Sequence, residues 1–134
     1  MTMLTSKTYG IVADVGGTNT RVALVQGAMV VGDTIQKFAN REFTSLEAVL
    51  GRYIAQQDGV RCATACIAVA GPVRDGAGEL TNLNWRFDNA TLTQTTGARQ
   101  VAILNDLQAA GHALGRIDTA RLTTIIPGKP AATN

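Results

Sequence analysis

The sequence predicts an α/β domain built around one five-stranded sheet of mixed strand direction. The first observation is a set of three strand-like segments within residues 9–38, joined by short turns as in an antiparallel meander. The second is a pair of nearly continuous apolar runs, residues 63–70 and 101–104, which are typical of strands covered on both faces. The third is a helical spacing of apolar residues between and after these runs, which predicts flanking helices.

The meander contains three predicted strands, at residues 9–15, 20–26 and 29–38. A turn with two glycines joins the first two strands. Gly27 and Gly32 mark bends around the third, which is therefore the least regular of the three.

A helix is predicted after the meander, because Thr44 and Glu47 have capping-box spacing and apolar residues recur with a helical period. The apolar positions are Leu46, Val49, Leu50, Tyr53 and Ile54. We expect this helix to run to about Gln57, where Asp58 and Gly59 stop it.

The second half of the chain alternates short elements with turns. Asp88 is expected to cap a short helix that Gly97 closes. The other expected elements are a turn-rich loop at 74–78, a strand or extended stretch at 79–85, a buried strand at 101–104, a helix from Leu107 to near Gly115, and a weaker strand at 121–126.

Composition narrows the class of protein. The chain has 134 residues, 46% of them apolar and 16% charged, which is typical of one compact domain and not of a disordered chain. Its 12 basic residues are scattered against 10 acidic ones, so we expect no nucleic-acid partner. The first residues lack the apolar segment of a secretory signal and no segment is long enough for a membrane span, which favours a cytoplasmic protein. Cys62 and Cys66 are expected to be buried reduced thiols.

The hairpin between the first two strands is the first candidate site. Its residues Gly16, Gly17 and Thr18 have little side-chain bulk. Adjacent glycines can adopt dihedrals barred to other residues, so their N–H groups can converge on a phosphate while Thr18 adds a hydroxyl. Asp14 beside bound phosphates would require a divalent cation, which makes it a candidate for the magnesium side of the site. The alternative is an ordinary hairpin turn with local Asx bonds.

The second candidate site is Asn105-Asp106, which follows the last buried strand. Ligands of open α/β sheets gather outside the carboxyl ends of strands, and the strands that end at Asp14, Gly71 and Asp106 could share one crevice. Asp106 could accept a proton from a substrate hydroxyl, and Asn105 could hold a neighbouring hydroxyl. The alternative is that Asp106 is only the N-cap of the next helix.

Four motifs together resemble those of bacterial glucokinase, a hexokinase-type sugar kinase of the actin-like ATPase superfamily. They are ADVGGTNTR at residues 13–21, CIAVAGP at 66–72, TNLNW at 81–85 and ILND at 103–106. Their order and spacing also match, and the resemblance covers residues 9 to 129. Four ordered motifs are far more specific than any one of them.

The resemblance implies the ribonuclease H-like, actin-like ATPase fold and transfer of the γ-phosphoryl group of ATP, with Mg²⁺, to the 6-hydroxyl of glucose. It carries the first phosphate loop onto Ala13, Asp14, Val15, Gly16, Gly17 and Thr18. It makes Asp106 the proton-accepting aspartate and Asn105 a ligand of the sugar hydroxyls. Gly71, Pro72 and Asn82 match sugar-site motifs, with a weaker implication of direct contact.

The family's chains are more than twice as long and carry a second lobe that completes both the nucleotide and the sugar sites. We therefore expect residues 9–126 to form the small N-terminal lobe, with residues 1–8 as a tail and residues 127–134 as a linker or frayed end. We also expect this chain alone to be inactive. The open alternatives are a kinase for another hexose, a polyphosphate donor in place of ATP, and a non-catalytic sugar-binding regulatory domain. An exposed interlobe surface also leaves a homodimer open.

Overall fold

The computed structural model describes residues 9–27, 29–105 and 107–114. The strands are β1 (Tyr9–Val15), β2 (Asn19–Gln26), β3 (Met29–Val30), β4 (Gln36–Ala39), β5 (Cys62–Val69), β6 (Val73–Arg74), β7 (Ala77–Leu80), β8 (Trp85–Asp88) and β9 (Gln100–Leu104). The helices are α1 (Leu46–Gln56), α2 (Asn89–Thr96) and α3 (Leu107–Leu114). Four of the sequence predictions lie outside the described residues. They concern Asp106, the tail at 1–8, the weaker strand at 121–126 and the segment at 127–134.

The main sheet has the mixed direction that the sequence predicts. Its strand order is β3-β2-β1-β5-β9, and β4 also pairs with β2. β1 is antiparallel to β2 and parallel to β5, and β5 is parallel to β9. The leading segment is thus an antiparallel meander, and the two apolar runs form the parallel half.

The sheet has six described strands rather than the predicted five, because the third predicted strand is divided. A 3-10 turn at Gly32–Thr34 separates β3 from β4. Within this gap the Thr34 hydroxyl accepts a hydrogen bond from the N–H of Leu24 at 3.0 Å and donates to the carbonyl of Val31 at 2.6 Å. The Thr34 side chain thereby accepts the hydrogen bond that a neighbouring strand would otherwise accept from β2. No residue pattern in the sequence predicts this contact.

Helices cover the sheet on both faces. On one face Ile11, Ala13 and Val15 join a buried cluster that includes residues of α1 and α2. On the other face Val12 packs in a cluster with Ala110 of α3. Neighbouring residues of β1 are therefore buried on opposite sides, as a central strand requires.

Both ends of the predicted first helix are defined by side-chain and backbone caps. The N-cap is Ser45, whose hydroxyl accepts from the N–H of Ala48 at 3.0 Å, so the expected cap at Thr44 is wrong by one residue. The C-terminal end is confirmed, because Gly59 has φ of 70° and its N–H donates to the carbonyl of Ile54 at 2.9 Å.

The short second helix also forms as predicted. Asp88 caps α2 by accepting from the N–H of Thr91 at 3.0 Å, and this bond lowers the pKa of the Asp88 carboxyl. Gly97 ends the helix with φ of 81°. The capping residues could be predicted from the sequence because each one bonds to residues three or four positions away along the chain.

A small antiparallel sheet of β6, β7 and β8 was not predicted. The expected loop at 74–78 is the hairpin turn between β6 and β7, with Asp75 and Gly76 at positive φ. The expected single stretch at 79–85 is wrong, because β7 ends at Leu80 and a 3-10 turn at Thr81–Leu83 precedes β8. Strands of two to four residues are too short to show a period-two pattern.

Cys62 and Cys66 are buried reduced thiols, as predicted. Burial raises the pKa of Cys62 to about 11 and that of Cys66 to about 12, so both thiols stay protonated at neutral pH. No helix in the described ranges has the length and apolar character that a membrane crossing requires.

Tyr53 provides a test of this packing. Its ring is fully buried and its hydroxyl donates to the carbonyl of Thr34 at 2.7 Å. Tyr53→Phe leaves that carbonyl without its donor, so we expect the free energy of unfolding to fall by about 1 to 3 kcal/mol in urea denaturation. The matched control is Tyr9→Phe, since the structure gives the Tyr9 hydroxyl no partner among the described residues. A Tyr9 variant destabilised as much as the Tyr53 variant would contradict this role.

Candidate active site

The candidate site lies at the edge of the main sheet where three parallel strands end. The register aligns Asp14 of β1 with Ala68 of β5, and Ala68 with Leu104 of β9. Adjacent strands lie about 4.8 Å apart, so these backbone positions span about 10 Å. Beyond the strands the N–H of Ala70 donates to the carbonyl of Val15 at 2.9 Å, so the segments that follow β1 and β5 stay together as they leave the sheet.

Ala13, Asp14 and Val15 are the last residues of β1 and lead into the hairpin. Ala13 and Val15 are fully buried, and Asp14 is half-buried and pairs in register with Arg21 of β2. The first two strands thus anchor the hairpin in the core. Asp14 is held at the start of the loop, on the site edge of the sheet.

The hairpin itself is narrow and exposed at its tip. The N–H of Gly16 donates to the carbonyl of Asn19 at 2.9 Å, while Gly17 and Thr18 are exposed. The expectation that both glycines use dihedrals barred to other residues is wrong, because neither has a positive φ. A Cβ on Gly16 would lie 3.1 Å from the carbonyl oxygen of Asn19, whereas a Cβ on Gly17 would meet nothing within 4 Å.

Glycine at position 17 is therefore required neither by the backbone conformation nor by close packing within the protein. It leaves open space above the tip of the loop, where a ligand could approach the backbone closely. Within the described residues, the N–H groups of Gly17 and Thr18 have no protein acceptor. Two unpaired N–H groups beside open space fit the oxygens of a phosphate.

Gly71 and Pro72 follow β5 and form the middle of the site. A Cβ on Gly71 would overlap the carbonyl oxygen of Glu79, so only glycine fits between the end of β5 and strand β7. The carbonyl of Pro72 accepts from the N–H of Glu79 at 3.1 Å. These contacts attach the small sheet to the end of β5.

Asn105 follows β9 and closes the other side. Its side-chain amide donates to the carbonyl of Gly71 at 2.6 Å, and the residue is exposed. The structure therefore brings Asn105 and Gly71 together. Asp106, the predicted proton acceptor, lies outside the described residues, whereas Leu104 and Asn105 before it lie at the site edge.

Asn82, on the 3-10 turn before β8, reaches the hairpin. Its amide donates to the carbonyl of Gly17 at 3.1 Å. The hairpin, the small sheet, the end of β5 and Asn105 are therefore linked in one continuous chain of contacts.

Asn40 and Thr20 also hold the hairpin, and the sequence reasoning missed both. The Asn40 amide donates to the carbonyl of Gly16 at 2.8 Å, and its own carbonyl oxygen accepts from the Thr20 hydroxyl at 2.7 Å. Asn40 follows β4 and carries no motif or periodicity, so its role appears only when β4 is paired with β2.

The described part of the chain contains no group of three or more His, Cys, Asp or Glu side chains that could hold a metal ion. A magnesium ion that binds mainly through phosphate oxygens and waters does not need such a group. Asp14 is half-buried at the start of the hairpin.

Comparison with known proteins identifies the family. The sequence profile described as Glucokinase matches residues 11–134. The chain belongs to the glucokinase family. A glucokinase from Photorhabdus laumondii is 36% identical over 106 residues, which are 79% of this chain and 33% of that protein.

Solved glucokinase structures share the fold. The glucokinase of an Antarctic psychrotroph has a TM-score of 0.65 at 30% identity, over 84% of this chain and 36% of that one. A glucokinase from Balamuthia mandrillaris, solved in complex with glucose, has a TM-score of 0.60 at 23% identity, over 92% of this chain and 36% of that one. The chain therefore has the actin-like ATPase fold. It spans about a third of the length of these relatives.

Two glycine substitutions test the different roles of Gly71 and Gly17. Gly71→Ala places a methyl group against the Glu79 backbone, so we expect the free energy of unfolding to fall by about 1 to 3 kcal/mol. Gly17→Ala places it in open space at an ordinary φ, and we expect stability to stay the same or rise by up to about 1 kcal/mol. Urea denaturation measures both. Equal destabilisation by the two variants would be inconsistent with the close approach at Gly71.

Proposed function

We propose that this chain is the small N-terminal lobe of a glucokinase, which transfers the γ-phosphoryl group of ATP to the 6-hydroxyl of glucose. The observation that carries the proposal is the open hairpin and Asn105 at one sheet edge, in a chain of the glucokinase family. In this assignment residues 9–126 form the lobe, residues 1–8 a tail and residues 127–134 the linker to a second lobe. A cytoplasmic location agrees with a soluble sugar substrate.

In this proposal the hairpin binds the phosphates of ATP. The exposed N–H groups of Gly17 and Thr18 and the Thr18 hydroxyl donate to phosphate oxygens, while Ala13 to Gly16 anchor the loop in the core. Bound Mg²⁺ would neutralise phosphate charge, and Asp14 would contact its water shell. A loop whose backbone is already held in place lowers the entropic cost of aligning the phosphate for transfer.

The sugar would lie at the end of β9. Asn105 orients a glucose hydroxyl, and Asp106 accepts the proton of the attacking 6-hydroxyl as its oxygen bonds to the γ-phosphorus and ADP leaves. Gly71, Pro72 and Asn82 would line the same pocket. Phosphoryl transfer depends on positioning and charge more than on covalent catalysis by the protein, which agrees with a site made of backbone amides, amide side chains and one carboxylate.

The choice of hexose depends on more than Asn105 and Asp106, because an amide and a carboxylate can bind the hydroxyls of any hexose. Glucose is favoured over another hexose by the family and by the glucose complex of the Balamuthia protein.

Asp106→Ala tests the proposed proton acceptor. In the two-lobed protein we expect kcat to fall at least about a hundredfold, the lower range for general-base catalysis, with a smaller change in the KM for glucose. The control is Asp33→Ala, which removes an exposed carboxylate on the turn between β3 and β4. Steady-state assays of ADP release measure both, and near-normal turnover of the Asp106 variant would refute its assignment.

The need for a second lobe is tested by joining one to this chain. The resemblance implies further sugar contacts from that lobe, each worth about 1.5 to 3 kcal/mol when the partner is charged, so two of them change affinity at least a hundredfold. We expect the 134-residue chain to show no glucose-dependent ATP turnover. A fusion to the remaining part of the Photorhabdus relative should restore it, and turnover by the chain alone would overturn the proposal of inactivity.

A further inference from the structure

Each of the three carbonyl groups at the tip of the hairpin accepts a hydrogen bond from an asparagine. The carbonyl of Gly16 accepts from the side-chain amide of Asn40 at 2.8 Å. That of Gly17 accepts from the side chain of Asn82 at 3.1 Å, and that of Thr18 from the backbone N–H of Asn40 at 2.9 Å. The loop has almost no side chains of its own to set its shape, so these three bonds set it.

The same bonds determine where the N–H groups of the loop point. A peptide unit is planar and trans, so its C=O and the N–H of the next residue point in opposite directions. When the Gly16 carbonyl is held towards Asn40, the N–H of Gly17 must point away from Asn40. In the same way the Gly17 carbonyl is held towards Asn82, so the N–H of Thr18 must point away from Asn82. These are the two N–H groups that have no acceptor within the described residues.

Asn40 is the rigid member of this arrangement. It is 1% exposed and its partner Thr20 is 0% exposed, whereas Asn82 is on the surface. A carbonyl such as that of Gly16 can only accept, so the nitrogen of the Asn40 side chain must face it. The Asn40 oxygen then faces Thr20, whose hydroxyl donates to it at 2.7 Å. One orientation of the amide satisfies all of these groups.

We propose that Asn40 is a positioning residue of the phosphate-binding hairpin, which orients the Gly17 N–H for a nucleotide phosphate through the bond of its side-chain amide to the Gly16 carbonyl. The inference rests on the proposed function. Asn40 does not touch the ligand. It acts through the backbone of the loop, and Thr20 acts through Asn40.

Asn40→Asp tests this role, because it keeps the shape of the side chain but turns an oxygen towards the Gly16 carbonyl. We expect the Kd of the 134-residue chain for MgATP to rise about tenfold, the factor that corresponds to one lost hydrogen bond. The probe is the ¹⁵N–¹H NMR signals of Gly17 and Thr18 during a MgATP titration. Asn89→Asp is the matched control, since Asn89 is exposed on the first turn of α2 and makes no side-chain hydrogen bond within the described ranges.

Before nucleotide is added, the same spectra report the loop alone. In Asn40→Asp the Gly17 and Thr18 signals should shift or broaden, and in Asn89→Asp they should not. A purely structural role would lower stability without changing the Kd of the folded protein, so affinities are compared where circular dichroism shows both variants folded. Equal Kd values for the Asn40 variant and the wild type would overturn the inference.

Thr20 supplies a second route if the charged variant fails to fold. Thr20→Val removes the hydroxyl that orients Asn40 and should also raise the Kd for MgATP. Thr20→Ser keeps the hydroxyl and should retain the wild-type Kd. Equal binding by the Val and Ser variants would also count against the inference. No response of the wild-type Gly17 and Thr18 signals to MgATP would instead refute the proposed function of the hairpin, and this inference with it.

Discussion

The parallel pairing of β1, β5 and β9 is the constraint on which the rest of the site depends. It sets Asp14, Ala68 and Leu104 in one row, so the segments that leave these strands emerge side by side. β1 is buried on both faces, and a slip of one residue would move its apolar side chains to the wrong clusters. The hydrophobic core thus maintains the alignment that the polar site requires.

The small sheet β6-β7-β8 ties the site together on two sides. At one side Gly71 packs against the Glu79 backbone and accepts from Asn105. At the other side Asn82 reaches the hairpin. In sequence the small sheet lies between β5 and α2, and its contacts reach both the end of β5 and the hairpin after β1. Its contribution is rigidity at the edge where the ligand is proposed to bind.

Long elements and local caps could be predicted from the residues, and short or irregular ones could not. The strands β1, β2, β5 and β9 and the helices α1 and α2 have patterns that span several residues, and Gly59 and Gly97 end their helices through local backbone geometry. The division of the third strand depends on one hydroxyl, that of Thr34, which bonds across to β2. The sequence suggested unusual backbone dihedrals for the two hairpin glycines, whereas neither has a positive φ and a Cβ on Gly17 would meet open space.

By itself the sequence determined the order of the long elements and the motifs of the family, because both are properties of neighbours along the chain. Tertiary structure alone decided what holds the hairpin. Asn40 lies 24 positions from Gly16, and Asn82 lies 65 positions from Gly17. A hydrogen bond over such separations exists only once the packing of the sheet has set two distant segments within about 3 Å, the distance at which an amide can donate to a carbonyl.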